Sequence, residues 1–292
     1  MAATDSREGL ALFERQFSRT ARSAALHRAA HQAMERGAIF RDPFACAILG
    51  LTPQEAAAEE GADESRRRMR LFIAARARFA EDKLIDAVNR GVRQAVVLGA
   101  GLDTFALRNP HADVGLRVFE VDHPDTQAWK RERLAMMKVA APAGLTFAPV
   151  DFERDDLAAG LATAGFDRTQ PAFFIWLGVT PYLTPQAALA TLGAIAAVPG
   201  AEVAFDYTEG REKYQGEARQ FHDELLARVA AVGEPIIGAF APQELAAELA
   251  ALGMTEQEDL DAPAIVERYF GAPAASGRRS SAGHLIWARR PL

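Results

Sequence analysis

Apolar positions recur at helical spacing through the first third of the chain and then give way to short, unbroken apolar runs separated by helical stretches. Residues 10–90 read as helical. Within them, Thr52-Pro53-Gln54-Glu55 supplies a capping hydroxyl, a proline suited to the first turn and a Glu that can return to the cap, which predicts a helix start. Residues 59–70 swing from acidic (Glu59, Glu60, Asp63, Glu64) to basic (Arg66, Arg67, Arg68, Arg70), an order that suits the dipole of one helix running through them. Leu71, Phe72, Ala75, Phe79, Leu84 and Val88 then keep a helical period up to Gly91, a natural stop.

After Gly91 the pattern changes. Runs at 95–98, 117–121, 145–150, 173–177 and 201–205 are too short for helices and predict buried parallel strands, with helices at 126–139, 155–164 and 184–197 between them. This alternation predicts an α/β fold whose sheet is covered on both faces and whose chemistry lies at the carboxyl ends of the strands. Glu120 and Asp122, Asp151, and Asp206 with Tyr207 stand at such ends. Residues 208–252 carry two helical stretches, 212–232 and 242–252, around a Gly/Pro-rich turn at Gly233-Glu234-Pro235 and Gly238, and no strand fits there. Placed after the fifth strand, this region is expected to cap the strand ends. Residues 271–283 have loop composition, and 284–289 make a final strand.

Composition narrows the function classes. The chain has 292 residues, enough for one large domain, with 49% apolar and 25% charged residues, an ordinary globular balance. A net charge of −6 supplies no field for collecting phosphates, so neither nucleic acid nor a membrane surface is an expected partner. Cys46 is the sole cysteine, which excludes an intramolecular disulfide framework and a cysteine-cluster metal site. Asp5, Glu8, Arg15 and Arg19 interrupt the first twenty residues, so a secretory signal is not expected and a cytoplasmic location is. Residues 171–201 lack any charge, yet Pro171, Pro181, Pro185 and Pro199 break them into a buried strand, a turn and a buried helix rather than a membrane span.

The stretch Val97-Leu-Gly-Ala-Gly-Leu-Asp-Thr104 carries the most chemical information. Gly99 and Gly101 directly after a strand let a ligand approach the backbone where a side chain would block it. Dinucleotide binding would call for a third glycine where Thr104 stands, and Asp103 just before it would repel a pyrophosphate but favour a cationic amino group. Roughly twenty residues beyond Gly101 come Glu120 and Asp122, placed to accept hydrogen bonds from ribose hydroxyls. Adenosine joined to a zwitterionic amino acid without phosphate meets these constraints, and S-adenosylmethionine is such a ligand. A nicotinamide-dependent oxidoreductase fits less well.

Five motifs in order resemble a known family: Arg76-Ala-Arg78-Phe-Ala-Glu-Asp-Lys83, Val-Leu-Gly-Ala-Gly-Leu-Asp-Thr104, Phe-Glu-Val-Asp-His-Pro124, Val-Asp-Phe152 and Leu-Gly-Val-Thr-Pro-Tyr-Leu183. Together they resemble the leucine carboxyl methyltransferase family, which includes many bacterial class I S-adenosylmethionine-dependent methyltransferases. The likeness runs from about Ser18 to the C-terminus, and Ser18-Arg-Thr-Ala21 and Arg41-Asp-Pro-Phe44 resemble its bacterial branch. The resemblance implies a Rossmann-like, mostly parallel seven-stranded sheet with an N-terminal helical extension and a helical cap. On that reading residues 1–91 are the extension, 92–207 the cofactor-binding core, 208–252 the cap and 253–292 the C-terminal strands, all within one domain. It implies that Arg76 or Arg78 binds the cofactor carboxylate, that Gly99 and Gly101 form the cofactor turn, that Asp122 with Glu120 close by binds the ribose, and that Asp151-Phe152 recognises the adenine. One position departs from the pattern: many members carry an acid before the Gly of the fourth-strand motif, and here it is Leu177, which affects one polar cofactor contact.

Methyl transfer from a sulfonium is an in-line displacement, so the protein's task is to align donor and acceptor and exclude water. A base is needed only where the acceptor starts protonated, as a hydroxyl does, and a carboxylate needs none. The sequence offers no Ser-His-Asp set, metal-ligand spacing or P-loop. Tyr182, Tyr207 and Arg108 lie near the expected strand ends or the Gly-rich turn and could orient an acceptor, while His123 and His222 are possible bases that read first as surface or structural residues. The sequence thus points to an S-adenosylmethionine-dependent O-methyltransferase acting on a carboxylate or hydroxyl of a small molecule, releasing S-adenosylhomocysteine and using no metal. The alternatives are methylation of a protein C-terminal carboxylate and a non-catalytic module that binds the nucleoside.

Overall fold

The five apolar runs fold as adjacent parallel strands of one sheet. In the computed structural model, which describes residues 19–152, 154–231, 235–271 and 283–292, they are β1 (Gln94–Leu98), β2 (Arg117–Asp122), β3 (Leu145–Pro149), β4 (Phe173–Trp176) and β5 (Glu202–Thr208). With β6 (Glu256–Leu260) and β7 (Gly283–Arg289) they make a seven-stranded sheet in the order β3-β2-β1-β4-β5-β7-β6. β7 alone runs opposite to the other six strands, pairing antiparallel with β5 and β6. The chain winds outward from β1 to β3, then returns to lay β4 on the other side of β1, and this reversal leaves a crevice above the carboxyl ends of β1 and β4.

Strand alternation divides the core. Val96, Leu98, Phe119, Val121, Phe174, Trp176 and Phe205 face one side, against Leu192 and Ile195 of α7 (Pro185–Ala196) and Leu245 and Leu249 of α9 (Pro242–Ala251). Ala95, Val97, Val118, Phe173, Ile175 and Ala204 face the other, against Phe79, Leu84 and Val88 of α4 (Glu64–Asn89). Both faces are buried, which explains why the strands read as uniform apolar runs. The connecting helices α5 (Pro124–Met136) and α6 (Leu157–Thr163) start at His123 and Asp156, whose side chains accept backbone N–H groups of the first turn.

The N-terminal helices are α1 (Arg19–Met34), α2 (Ala45–Leu49), α3 (Pro53–Glu60) and α4. Thr52 and Glu55 close the expected capping box at the start of α3. The acid-to-base swing of residues 59–70 does not belong to one helix: Gly61, at φ +72°, ends α3, and Asp63 caps α4 by accepting the Ser65 and Arg66 N–H groups. The charges instead meet in space. Buried Glu60 accepts from His27 Nδ1 at 2.8 Å, from Arg70 at 2.9 Å and from Arg66 at 2.9 Å, and Arg70 also holds Glu35 at 2.6 Å. His31, fully buried, bridges Glu35 and the backbone N–H groups of Ile39 and Phe40.

Two features of the C-terminal half differ from the sequence reading. β6, with sequence EQEDL, is a charged edge strand without an apolar run that completes the seven strands the resemblance implies, and α10 (Ala262–Phe270) stands between it and β7 where residues 253–292 are expected to carry strands alone. Of the stretch expected to cap the strand ends, α8 (Gly216–Ala231) follows β5, but α9 covers the sheet face, with Leu245 and Leu249 fully buried. Residues 171–201 separate into β4, a turn and α7, and no helix among the described residues is long and apolar enough to cross a membrane. Ser18 and the residues before it, Gly233 and Glu234 of the expected turn, loop residues 272–282 and the His222 side chain lie outside the described residues.

Candidate functional site

The turn after β1 has the conformation that its glycines allow. Gly99 and Gly101 sit at φ +62° and +46°, in the left-handed region. A Cβ on Gly99 would lie 2.6 Å from Val179 Cγ2 in the loop after β4, so the two loops at the crevice touch through this glycine. Asp122 at the end of β2 fixes the turn: Oδ2 accepts the Gly101 N–H at 2.6 Å and Oδ1 the His123 N–H at 2.7 Å. Burial pushes the Asp122 carboxyl up, against the opposing pull of these two N–H groups. Asp103, half-buried, accepts the Phe105 N–H at 2.7 Å and so shapes the short turn that follows.

Glu120 lies two residues before Asp122 on the same strand face, but its carboxylate is directed inward. Lys130 of α5 donates to its Oε2 at 2.6 Å, and its Oε1 is buried with no hydrogen-bond partner among the described residues. Burial raises its carboxyl, with Lys130 opposing. At the end of β3, Asp151 stands 3.9 Å from His123 Nε2, and the neighbouring Phe152 is 44% exposed, an apolar side chain open to solvent.

The structure separates the two arginines that the sequence left as alternatives. Arg76 reaches the carboxyl edge of the sheet, where Nη1 bonds Asp206 Oδ2 at 3.0 Å. Its side chain is 13% exposed. It crosses Gly178, where a Cβ would stand 2.7 Å from Arg76 Nη2. Arg78, two residues on and therefore on another face of α4, is exposed and bonds Asp82 one turn away at 2.7 Å. Leu177 packs against the core on the α4 side, and the Gly178 N–H beside it donates to Asp206 Oδ1 at 2.6 Å.

Of the residues considered for orienting an acceptor, Tyr182 lies in the loop that follows β4. It closes the turn Thr180–Tyr182, whose Pro181 carbonyl accepts the Ile237 and Gly238 N–H groups at 2.9 Å each. Tyr207 is buried on the sheet: its hydroxyl donates to Asp259 at 2.5 Å, and its ring stacks on His284 at 4.7 Å. Burial and the Asp259 carboxylate raise its phenol. Arg108 is clamped to Glu81 and bonds Thr104 Oγ1 at 3.3 Å, tying the Gly-rich turn to α4. Burial raises the Glu81 carboxyl, and the Arg108 guanidinium opposes the rise. His123 caps α5 with a half-exposed ring.

Sequence reasoning noted Asp206 only as the end of the fifth strand and did not connect it with Arg76. The signal was present, since every other acid at a strand end had been singled out. The Tyr207, His284 and Asp259 cluster was not foreseen either, because it joins β5, β7 and β6. Among the described residues no group of His, Cys, Asp and Glu is arranged to hold a metal ion.

Comparison with known proteins bears on the same region. The leucine carboxyl methyltransferase family model matches residues 21–196, more than half of the chain, running from α1 through α7. YktD of Bacillus subtilis (strain 168), named provisionally as an S-adenosyl-L-methionine-dependent methyltransferase, is 33% identical over 198 residues, 67% of this chain and 65% of that protein. A similarly named protein of Mycobacterium sp. (strain JLS) is 44% identical over 115 residues, 39% of this chain and 37% of that protein. The matched stretch therefore spans less than two thirds of either relative. Two crystal structures share the fold: a provisionally named methyltransferase from Thermobifida fusca YX, with TM-score 0.53 and 18% identity over 84% of this chain and 92% of that one, and a duf574 family protein from Streptomyces avermitilis MA-4680, with TM-score 0.52 and 16% identity over 91% and 97%. Since the matched residues contain the Gly-rich turn, the acids that end β2 and β3, and the loop after β4, the chain belongs to the leucine carboxyl methyltransferase family.

Proposed function

We propose that the protein is an S-adenosylmethionine-dependent O-methyltransferase whose acceptor is a small molecule with a carboxylate or hydroxyl. The observation that carries this reading is the joint placement of the Gly99–Gly101 turn, Asp122 and Arg76 along the crevice where strand order reverses. The residues fit an adenosyl amino acid. Gly99 and Gly101 take left-handed φ and present a turn without side chains to a closely approaching ligand, Asp122 offers remaining lone pairs to ribose hydroxyls, Phe152 offers an apolar face to adenine, and Arg76 offers a cation to a carboxylate. When bound, the cofactor supplies an electrophilic methyl group on a sulfonium. The chain supplies position and enclosure: Val179 closes over Gly99, and the Thr180–Tyr182 turn, held by residues 237–238, stands beside the crevice where an acceptor would be oriented.

A single domain, with the helical additions enclosing the acceptor, is part of this proposal. The enclosing segment is narrower than residues 208–252, since α9 belongs to the core. Calorimetry with S-adenosylmethionine and S-adenosylhomocysteine, followed by turnover on a panel of small carboxylic acids, phenols and alcohols, tests the reading. Micromolar binding with methyl transfer to an oxygen supports it. No binding of either nucleoside by folded protein refutes it, and binding without transfer across the panel would favour the non-catalytic module.

A further inference from the structure

We propose that Asp206 is the receptor for the ammonium group of the cofactor's amino-acid tail, forming with Arg76 a two-charge clamp for the zwitterion; this rests on the methyltransferase reading above. The register of β4 and β5 pairs Trp176 with Phe205, so the next level places Leu177 beside Asp206. In parallel strands side chains at one level point to the same face, so Asp206 brings a carboxylate to the place beside Leu177, where β4 itself offers only an apolar side chain. The Asp206 side chain is 5% exposed. Oδ1 takes the Gly178 N–H at 2.6 Å and Oδ2 takes Arg76 Nη1 at 3.0 Å. An ionised carboxylate has about four acceptor positions, so a third donor can be accommodated. The Thr180 hydroxyl donates to the Asp206 backbone carbonyl and holds this strand end in place.

Charge arithmetic favours a zwitterion over a simple anion here. A carboxylate alone next to Arg76 would also face Asp206, and an ammonium alone next to Asp206 would face Arg76. A ligand with both signs two bonds apart satisfies each neighbour. A charge-assisted hydrogen bond in such an enclosed position corresponds to roughly ten- to hundredfold in affinity. Gly178, at φ +72°, allows Arg76 to lie across the turn and take part in this pairing.

The alternative is that Arg76–Asp206 is only a strut between α4 and the sheet. Calorimetry with three ligands separates the two. S-Adenosylhomocysteine carries the whole zwitterion, its desamino analogue lacks only the ammonium, and 5′-methylthioadenosine lacks the amino-acid tail. The wild-type protein should prefer S-adenosylhomocysteine to the desamino analogue at least about tenfold, and Asp206→Asn should remove that preference while leaving 5′-methylthioadenosine affinity within about twofold. Equal affinity of the wild type for the first two ligands overturns the assignment, even if the variant does not fold. Parallel loss of all three ligands in a folded variant also overturns it, since a strut would act in that way. Failure of the wild type to bind any of the three would instead refute the methyltransferase reading itself.

Discussion

At the scale of single residues, the site depends on backbone geometry as much as on charge. Gly99 combines a left-handed φ of +62° with a Cβ position 2.6 Å from Val179, so any side chain there meets both strain and contact. Gly99→Ala is expected to weaken S-adenosylhomocysteine binding by tenfold or more in calorimetry, and unchanged affinity would remove the turn from the proposed site. Residue identity in the sequence located this turn and Asp122, because glycines and acids at strand ends have few other reasons to be there. It could not choose between Arg76 and Arg78, since both lie on one helix and only the packing of α4 on β5 brings Arg76 to Asp206. Nor could it show that Glu120, which alternates onto the same face as Asp122, is drawn inward by Lys130.

The elements behave according to what their sequences allow, with two exceptions that share one cause. β6 is charged because it lies at an edge, and the swing of residues 59–70 spans a helix break because its charges pair in three dimensions rather than along one axis. Periodicity reads burial, and neither feature expresses itself as buried apolar surface. The N-terminal element yields a pH prediction. Burial lowers the His31 imidazole, and Nε2 accepts from Ile39 and Phe40 N–H, which requires it to stay unprotonated. In the unfolded chain the imidazole takes its proton near pH 6.5, so as pH falls below about 6.5 the unfolded state binds a proton that the folded state refuses. Stability is therefore full above that value and is lost on acidification, by at most about 1.4 kcal/mol per pH unit for this group. Urea unfolding from pH 7.5 to 5.5 should show the decline, and His31→Gln should flatten it; an unaltered slope would assign the dependence to other groups.

The segment opposite the crevice allows a second test at the level of elements. A Cβ on Gly238 would meet Thr180 O at 2.3 Å and Leu183 O at 2.4 Å, so Gly238→Ala must push the 235–241 segment away from the turn that bears Tyr182. On the proposed reading, in which this segment encloses the acceptor, kcat/KM for the acceptor should fall at least tenfold while cofactor affinity changes less than about threefold. Equal losses in both would place this contact in general stability instead.

For the whole molecule, the α/β class, the sheet's carboxyl-end site and the N-terminal helical addition were legible because strand burial on both faces writes itself as unbroken apolar runs. What remained hidden was pairing across the sheet, such as the approach of β7 to β5 and the cluster of Tyr207, His284 and Asp259 that it creates. Because the crevice is built from β1, β2, β4 and α4 together, ligand binding is coupled to global unfolding. S-Adenosylhomocysteine at one hundred times its Kd should add about 2.7 kcal/mol and raise Tm by several degrees, a shift absent with adenosine diphosphate. No shift at that concentration would mean that the folded state does not use this crevice for the nucleoside.

The contact between Val179 and Gly99 has a kinetic meaning. On the proposed reading, one short turn meets the Gly99 backbone of the nucleoside site at Val179 and, two residues later, holds residues 237–238 through the Pro181 carbonyl. A ligand settling on the glycines sets the position of Tyr182 before any second ligand arrives, so the reaction should follow a compulsory order with the methyl donor entering first. S-Adenosylhomocysteine would then leave last and compete with S-adenosylmethionine alone in product-inhibition patterns, and competition with the acceptor as well would show that the two halves of the turn move independently.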